Sequence, residues 1–224
     1  MNKFLSLILT LFILSGCTAV NSRSLPYDAW RLGFFAPSYM EVWIETADAI
    51  GIDGMVRIEA ARGIPAMSYP STFSEDPPDI FKGKPAGWPA RMGWGKGKYI
   101  KGAALPKQIY VRWQSLVEPQ IYHTRIDIPE SIREIMRKKD RAFCQFTGKT
   151  EVQYRKAIVI GLAPGGIAKA WVTGPCLTPI EIGRVQATVD PTGPYDGKSG
   201  GKYRPLSPTS KAYVEKFGVP YGSW

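Results

Sequence analysis

Serine, histidine and carboxylate positions come first, because their spacing decides whether a chain can do nucleophilic or acid–base work. Gly197-Lys198-Ser199-Gly200-Gly201 fits the G-x-S-x-G pattern, in which a strained strand-to-helix turn offers the serine to a later histidine base. No helical periodicity follows it, and the one histidine, His123, lies upstream. The stretch therefore reads as a surface loop. The same residues contain the Gly-Lys-Ser of a phosphate loop, but the first glycine that motif requires falls on Thr192. His123 shares strand parity with Ile121, Arg125 and Asp127 and reads as a surface or half-buried strand side chain rather than a general base. Glu41 and Glu45 share one strand face, so their carboxylates could approach as an acid/base pair, although such spacing is common on solvated strands. Trp88, Trp94 and Tyr99 are interleaved with Lys82, Lys84, Arg91, Lys96, Lys98 and Lys101. They could form a stacking and cation–π surface for a sugar or a protein, or pack against one another. None of these sets makes a credible catalytic centre, and the expectation is a non-enzyme.

Cysteine positions are more specific. Leu14-Ser15-Gly16-Cys17 closes a short apolar run that begins at Phe4, behind the positive Lys3. That run is shorter than the roughly 20 apolar residues that cross a bilayer and suits the apolar part of a signal peptide. Small residues leading straight into a cysteine read as a bacterial lipobox. This predicts residues 1–16 as a signal peptide and Cys17 as the lipidated first residue of the mature protein. Residues 17–24 then form a lipidated linker. Stable anchoring takes two lipid signals, which a diacylglycerol thioether plus an N-acyl chain would supply. Thr18 stands where inner-membrane retention usually requires Asp, so the expected address is the outer membrane, facing the periplasm. In that oxidising setting the remaining pair, Cys144 and Cys176, is expected to form a disulfide. It would contribute about 3.5 kcal/mol in the chain-entropy model; two separately buried thiols are the alternative. Two cysteines and one histidine cannot complete the usual four-ligand zinc site, and neither metal nor cofactor is expected.

The chain of 224 residues carries a formal net charge of +10, or +9 without Lys3. Export removes nucleic acid as the partner that such a charge would otherwise suggest. What remains is attraction to anionic headgroups, to an acidic protein, or a solvated basic surface.

The elements that must position these residues are mostly strands. Tyr39 to Glu45 alternates, with Val42 and Ile44 opposed to Glu41, Trp43 and Glu45; Met55 to Ala60 repeats the pattern. Gly63 to Leu105 is Gly/Pro-rich and reads as a long loop. Strand character returns at Ile109–Trp113 and Ile121–Ile128. A helix is expected next, with Pro129 at N1, Glu130 in its first turn and Arg137 to Lys139 at its end. Ala142–Phe146, Val152–Leu162 and Ile167–Thr173 read as strands, the last two joined by Ala163-Pro164-Gly165-Gly166, in which Gly165 supplies a positive φ. In a final strand, Ile180–Val189, the apolar parity flips at Gly183, which predicts a β-bulge. A short helix should start with Ser207 as N-cap and Pro208 at N1 and stop at Gly218. The sum is an α+β fold: a β-rich antiparallel sheet or sandwich, one central helix and a short C-terminal helix. Residues 25–224 should make a single globular domain, with a Gly/Pro-rich C-terminal segment.

Three stretches look familiar together: Leu105-Pro106 leading into Val111-Arg112-Trp113-Gln114-Ser115-Leu116, Tyr122 to Arg133, and Ile160-Gly161-Leu162-Ala163-Pro164-Gly165-Gly166 ending at Trp171. With the lipobox, the chain resembles the bacterial lipoproteins grouped as the domain of unknown function 2931 family. That family brings no established catalytic residues. Some members look to be encoded beside antibacterial phospholipase effectors, which implies immunity proteins. The expectation is an outer-membrane-anchored binding protein whose partner is the membrane through its lipid and, in the periplasm, a secreted effector. The alternative is a cell-envelope enzyme or glycan-binding lipoprotein. Oligomeric state is left open.

Overall fold

The computed structural model describes residues 25–67, 87–88 and 93–224. The expected signal peptide 1–16, Cys17, the linker 17–24, and Lys82, Lys84 and Arg91 lie outside the described residues. Among the described residues, no helix is long and apolar enough to cross a membrane.

Alternating apolar residues build two sheets that share one core. A five-stranded sheet has the order β12 (Ile180–Gln186), β11 (Ile167–Thr173), β10 (Ala157–Ala163), β1 (Ala29–Phe35) and β5 (Lys96–Lys101). The other runs β13 (Thr188–Val189), β7 (Gln120–Asp127), β6 (Pro106–Ser115), β2 (Val42–Gly51) and β3 (Val56–Ala61), with β4 (Ile64–Ala66) pairing β2. Trp30, Leu32 and Phe34 of β1 and Ile158, Ile160 and Leu162 of β10 face Val42 and Ile44 of β2 and Ile109, Val111 and Trp113 of β6 in that core. Helix α1 (Glu130–Arg137) adds Ile132 and Met136 to it. All strand pairs are antiparallel except β1 with β10, which run parallel. The fold is thus the β-rich α+β architecture expected, with one mixed sheet.

Local chemistry explains where several elements begin and end. Helix α2 (Pro208–Phe217) has Ser207 as N-cap, its hydroxyl accepting from the Ser210 N–H, and Gly218 closes it with φ 75°. Helix α1 starts one residue later than expected: Pro129 is its cap rather than its first turn. The bulge falls where parity flips. Ala170 pairs with Gly183 and Trp171 with Glu181, leaving Ile182 as the extra residue. The expected strand Ile180–Val189 is really two, because the chain leaves one sheet at Ala187 and joins the other at Thr188.

Two further expectations change, and the expected disulfide finds its place. The Gly/Pro-rich stretch from Gly63 holds β4 and β5 at its two ends. Composition hides β5 because backbones meet there: a Cβ on Gly33 would lie 2.1 Å from the Trp94 carbonyl oxygen, and one on Gly97 1.9 Å from that of Leu32. Val152–Leu162 is broken at Arg155 and Lys156. Its first part, β9 (Lys149–Tyr154), pairs only with β8 (Lys139–Cys144), in a separate two-stranded ribbon. Cys144 and Cys176 form a disulfide with Cα atoms 5.0 Å apart. They are not neighbours in one sheet, however: the bond ties the ribbon to the loop after β11.

Candidate functional site

The outer face of the six-stranded sheet carries the densest polar chemistry. Strand parity sends Arg112 and Gln114 of β6 to the side opposite Val111 and Trp113, toward Glu45 of β2. There the segment after β13 crosses over them. Glu41, Glu45, Arg112 and Gln114 are all buried, and each is answered by this segment. Arg112 is ion-paired with Glu45 and with Asp190, the latter at 2.9 Å, and donates to the Gly193 carbonyl at 2.7 Å. Gln114 donates to Glu45 at 2.8 Å and accepts from the Arg204 N–H at 2.8 Å. The Tyr195 N–H donates to Glu45 at 3.0 Å. The Arg204 guanidinium lies 3.8 Å from the centre of the Trp43 ring. Further along, Glu41 accepts from the Ser207 hydroxyl and from the Ser210 hydroxyl, the latter at 2.6 Å.

Electrostatics follow from that packing. Burial alone would raise the Asp190 carboxyl, but hydrogen bonds from the Thr192 hydroxyl and N–H and from Arg112 hold it down at about 2. Desolvation would lower the Arg112 guanidinium; the Asp190 hydrogen bond and the charges of Glu45, Asp190 and Asp196 outweigh it and raise it. Both groups are therefore charged near neutrality. Buried charges of this kind persist only when paired and hydrogen-bonded.

The two carboxylates that could have formed an acid/base pair are thus brought to one face but occupied as anchors for the C-terminal segment. The other candidates are scattered. Ser199 lies in a run of turns, its hydroxyl donating to the Pro194 carbonyl at 3.2 Å, with no elbow geometry. Asp127 accepts from Gln108 at 2.7 Å. Trp88 packs on Phe35 and Trp171, each with ring centres 5.5 Å away, while Trp94 and Tyr99 flank Arg31 at 6.0 and 5.9 Å. Trp94 and Tyr99 thus serve an arginine, and Trp88 packs on other rings. Cys144 and Cys176 lie beside the Glu151 carboxylate, but sulfurs joined in a disulfide are not thiolate ligands.

Past the end of this covered strip, the same sheet face is open. Asp48, Ile50, Val56, Tyr110, His123 and Arg125 line a shallow depression of about 390 Å³. Arg125 lies over the Tyr110 ring at 5.5 Å, and the His123 and Tyr110 rings are 6.2 Å apart. Burial raises the Tyr110 hydroxyl, against the lowering influence of Arg112, so the phenol is neutral. His123 is placed by β7 at this rim, as strand parity indicated. Arg112, Gln114, Tyr110 and Asp190 escape sequence reasoning. For Tyr110, Arg112 and Gln114 the one trace is their alternation with the core residues Ile109, Val111 and Trp113.

No curated protein and no solved structure matches the chain. A family model described as "Protein of unknown function (DUF2931)" matches residues 17–222, nearly the whole length, and the chain belongs to that family.

Proposed function

We propose that this is a non-catalytic binding protein of the bacterial cell envelope, lipidated at Cys17, anchored in the outer membrane and facing the periplasm. There it captures a secreted antibacterial effector such as a phospholipase, as an immunity protein. The observation that carries the binding reading is the occupation of Glu41 and Glu45 by the C-terminal segment, which leaves the most suggestive carboxylate pair without room for substrate. The open remainder of that sheet face supports it. A shallow surface with Tyr110 and Arg125 at its centre has the residue types that dominate protein–protein contacts. The basic charge of the chain would speed encounter with an acidic partner.

The test is co-production in a susceptible cell with phospholipase-type effectors encoded beside the gene. Protection from one of them, with recovery of a stable complex, is the expected result. Arg125→Glu combined with Tyr110→Ala should weaken that complex at least tenfold, with an unchanged fold. No protection and no complex, together with hydrolysis or retention of an envelope glycan by the pure protein, would overturn the reading in favour of the enzyme or glycan-binding alternative.

A further inference from the structure

The β8–β9 ribbon is built inside out. Its register places Lys139, Arg141, Phe143, Thr150, Val152 and Tyr154 on one face, and Asp140, Ala142, Cys144, Lys149, Glu151 and Gln153 on the other. The second face meets the protein through Cys144, which is 3% exposed and disulfide-bonded, and through Asp140, itself half-exposed, which ion-pairs with the buried Arg155. Glu151 accepts from Thr147 and Gln153. The first face looks outward, with Phe143 62% and Val152 52% exposed, and Phe146 at the turn is 98% exposed. Folding normally hides such residues, and a contiguous exposed apolar patch marks an interaction surface. Both strand carboxylates, Asp140 and Glu151, lie on the second face, so the outward one offers the apolar Phe143 and Val152, the cations Lys139 and Arg141, and the hydroxyls of Thr150 and Tyr154.

Two features select an anionic lipid surface as the occupant. One is charge complementarity, because headgroup phosphates match cations that share a face with exposed apolar side chains. The other is where the chain enters the fold. Tyr27 packs on Tyr154 at the ribbon's base with ring centres 5.3 Å apart, and its hydroxyl donates to the Met136 carbonyl at 3.2 Å. The chain leading back to Cys17 thus departs from the ribbon's base. From Leu25 it spans at most about 28 Å when extended, comparable to the roughly 20 Å of a six-residue strand. A lipid at Cys17 would hold the ribbon within reach of the same bilayer.

We propose that the outward face of β8–β9 is a second membrane contact, in which Phe143, Phe146 and Val152 enter the headgroup region and Lys139 and Arg141 pair with phosphates. It is independent of effector capture, and it is tested without the lipid, so its failure is separable from failure of the anchor. Protein beginning at Thr18 retains every strand and helix described above. Such protein should co-sediment with vesicles of phosphatidylcholine carrying about a third phosphatidylglycerol, and not with phosphatidylcholine alone. Phe143→Ser with Phe146→Ser should weaken this binding about tenfold or more, and Lys139→Glu with Arg141→Glu should do likewise. Phe146→Leu should keep it, and so should Ile58→Ser, which alters another exposed apolar residue. Absence of binding to the anionic vesicles overturns the proposal, including the case in which the face holds an acidic protein instead. Equal binding to both vesicles, or retention by the double serine variant, also overturns it.

Discussion

Two regions of this protein invert the usual distribution of polarity, in opposite directions. Over the six-stranded sheet, charged and amide side chains are buried beneath the C-terminal segment, and Glu45, Arg112, Gln114 and Asp190 answer one another. On the β8–β9 ribbon, aromatic and aliphatic side chains stand in solvent while its carboxylates lie on the opposite face. The first inversion is closed, because the buried donors and acceptors that build it find partners within the fold, and its product is a fixed chain path. The second is open, because among the described residues nothing covers Phe146, which is 98% exposed. Buried polarity here reports on architecture, and exposed apolarity reports on contact with something else.

The sharpest way to break the closed region is Arg112→Ala. It leaves Glu45 and Asp190 facing each other's strip without their shared cation, and breaking a buried pair costs about 3–5 kcal/mol. Urea unfolding should show that loss, and limited proteolysis should show cleavage between residues 190 and 207 ahead of global unfolding. Replacing both Cys144 and Cys176 by Ser comes next. With a sequence separation of 32, the chain-entropy account gives a loss of about 3–4 kcal/mol. The ribbon, a two-stranded unit that is marginal alone, should then be the first segment cut by chymotrypsin, at Phe143 or Phe146.

Acid provides a smaller and reversible perturbation of the closed region. The Asp190 carboxyl sits at about 2 in the folded chain, against about 3.9 for an unperturbed Asp. A depressed carboxyl contributes stability that is complete above the unfolded value and disappears as pH falls through the folded one. Protease resistance of the C-terminal segment should therefore decline between about pH 4 and pH 2, and Asp190→Asn should remove that component of the decline. The smallest effect belongs to the open region. Phe146→Ser should change unfolding stability by less than about 0.5 kcal/mol, since its ring is already in water. A larger loss would mean that Phe146 serves the fold, and would erase the contrast between the two regions.

What the sequence discloses follows the range of the forces involved. Helix α2 is legible from Ser207-Pro208 to Gly218 because caps act within a few residues. The bulge at Ile182–Gly183 is legible because parity is a property of one strand. The fold class follows from many such local readings. The polar clamp is not legible, because Arg112 and Asp190 are 78 positions apart and neither is unusual in its own neighbourhood. The break at Arg155–Lys156 is hidden for a related reason: β-rich sequence on both sides masks a change of sheet that is fixed by the Arg155 ion pair to Asp140 and by the hydrogen bond from the Arg31 N–H to the Lys156 carbonyl. The open face of the ribbon could be read only once its register was known, since the alternation of Lys139, Arg141 and Phe143 does not say which side looks outward.

The parallel pairing of β1 with β10 has a kinetic consequence. Arg31 finds its partner at Ala157 and Phe35 at Gly161, 126 positions later, so the second strand to be laid against β1 arrives when most of the chain already exists. Pairings over such distances must close long loops before any contact rewards them, which makes folding slow. Until β10 is present, β1 has only β5 beside it, and the sheet that holds Leu32 and Phe34 is incomplete. An emerging or translocating chain with this wiring stays competent to fold only if it is kept extended and shielded until its second half has been delivered.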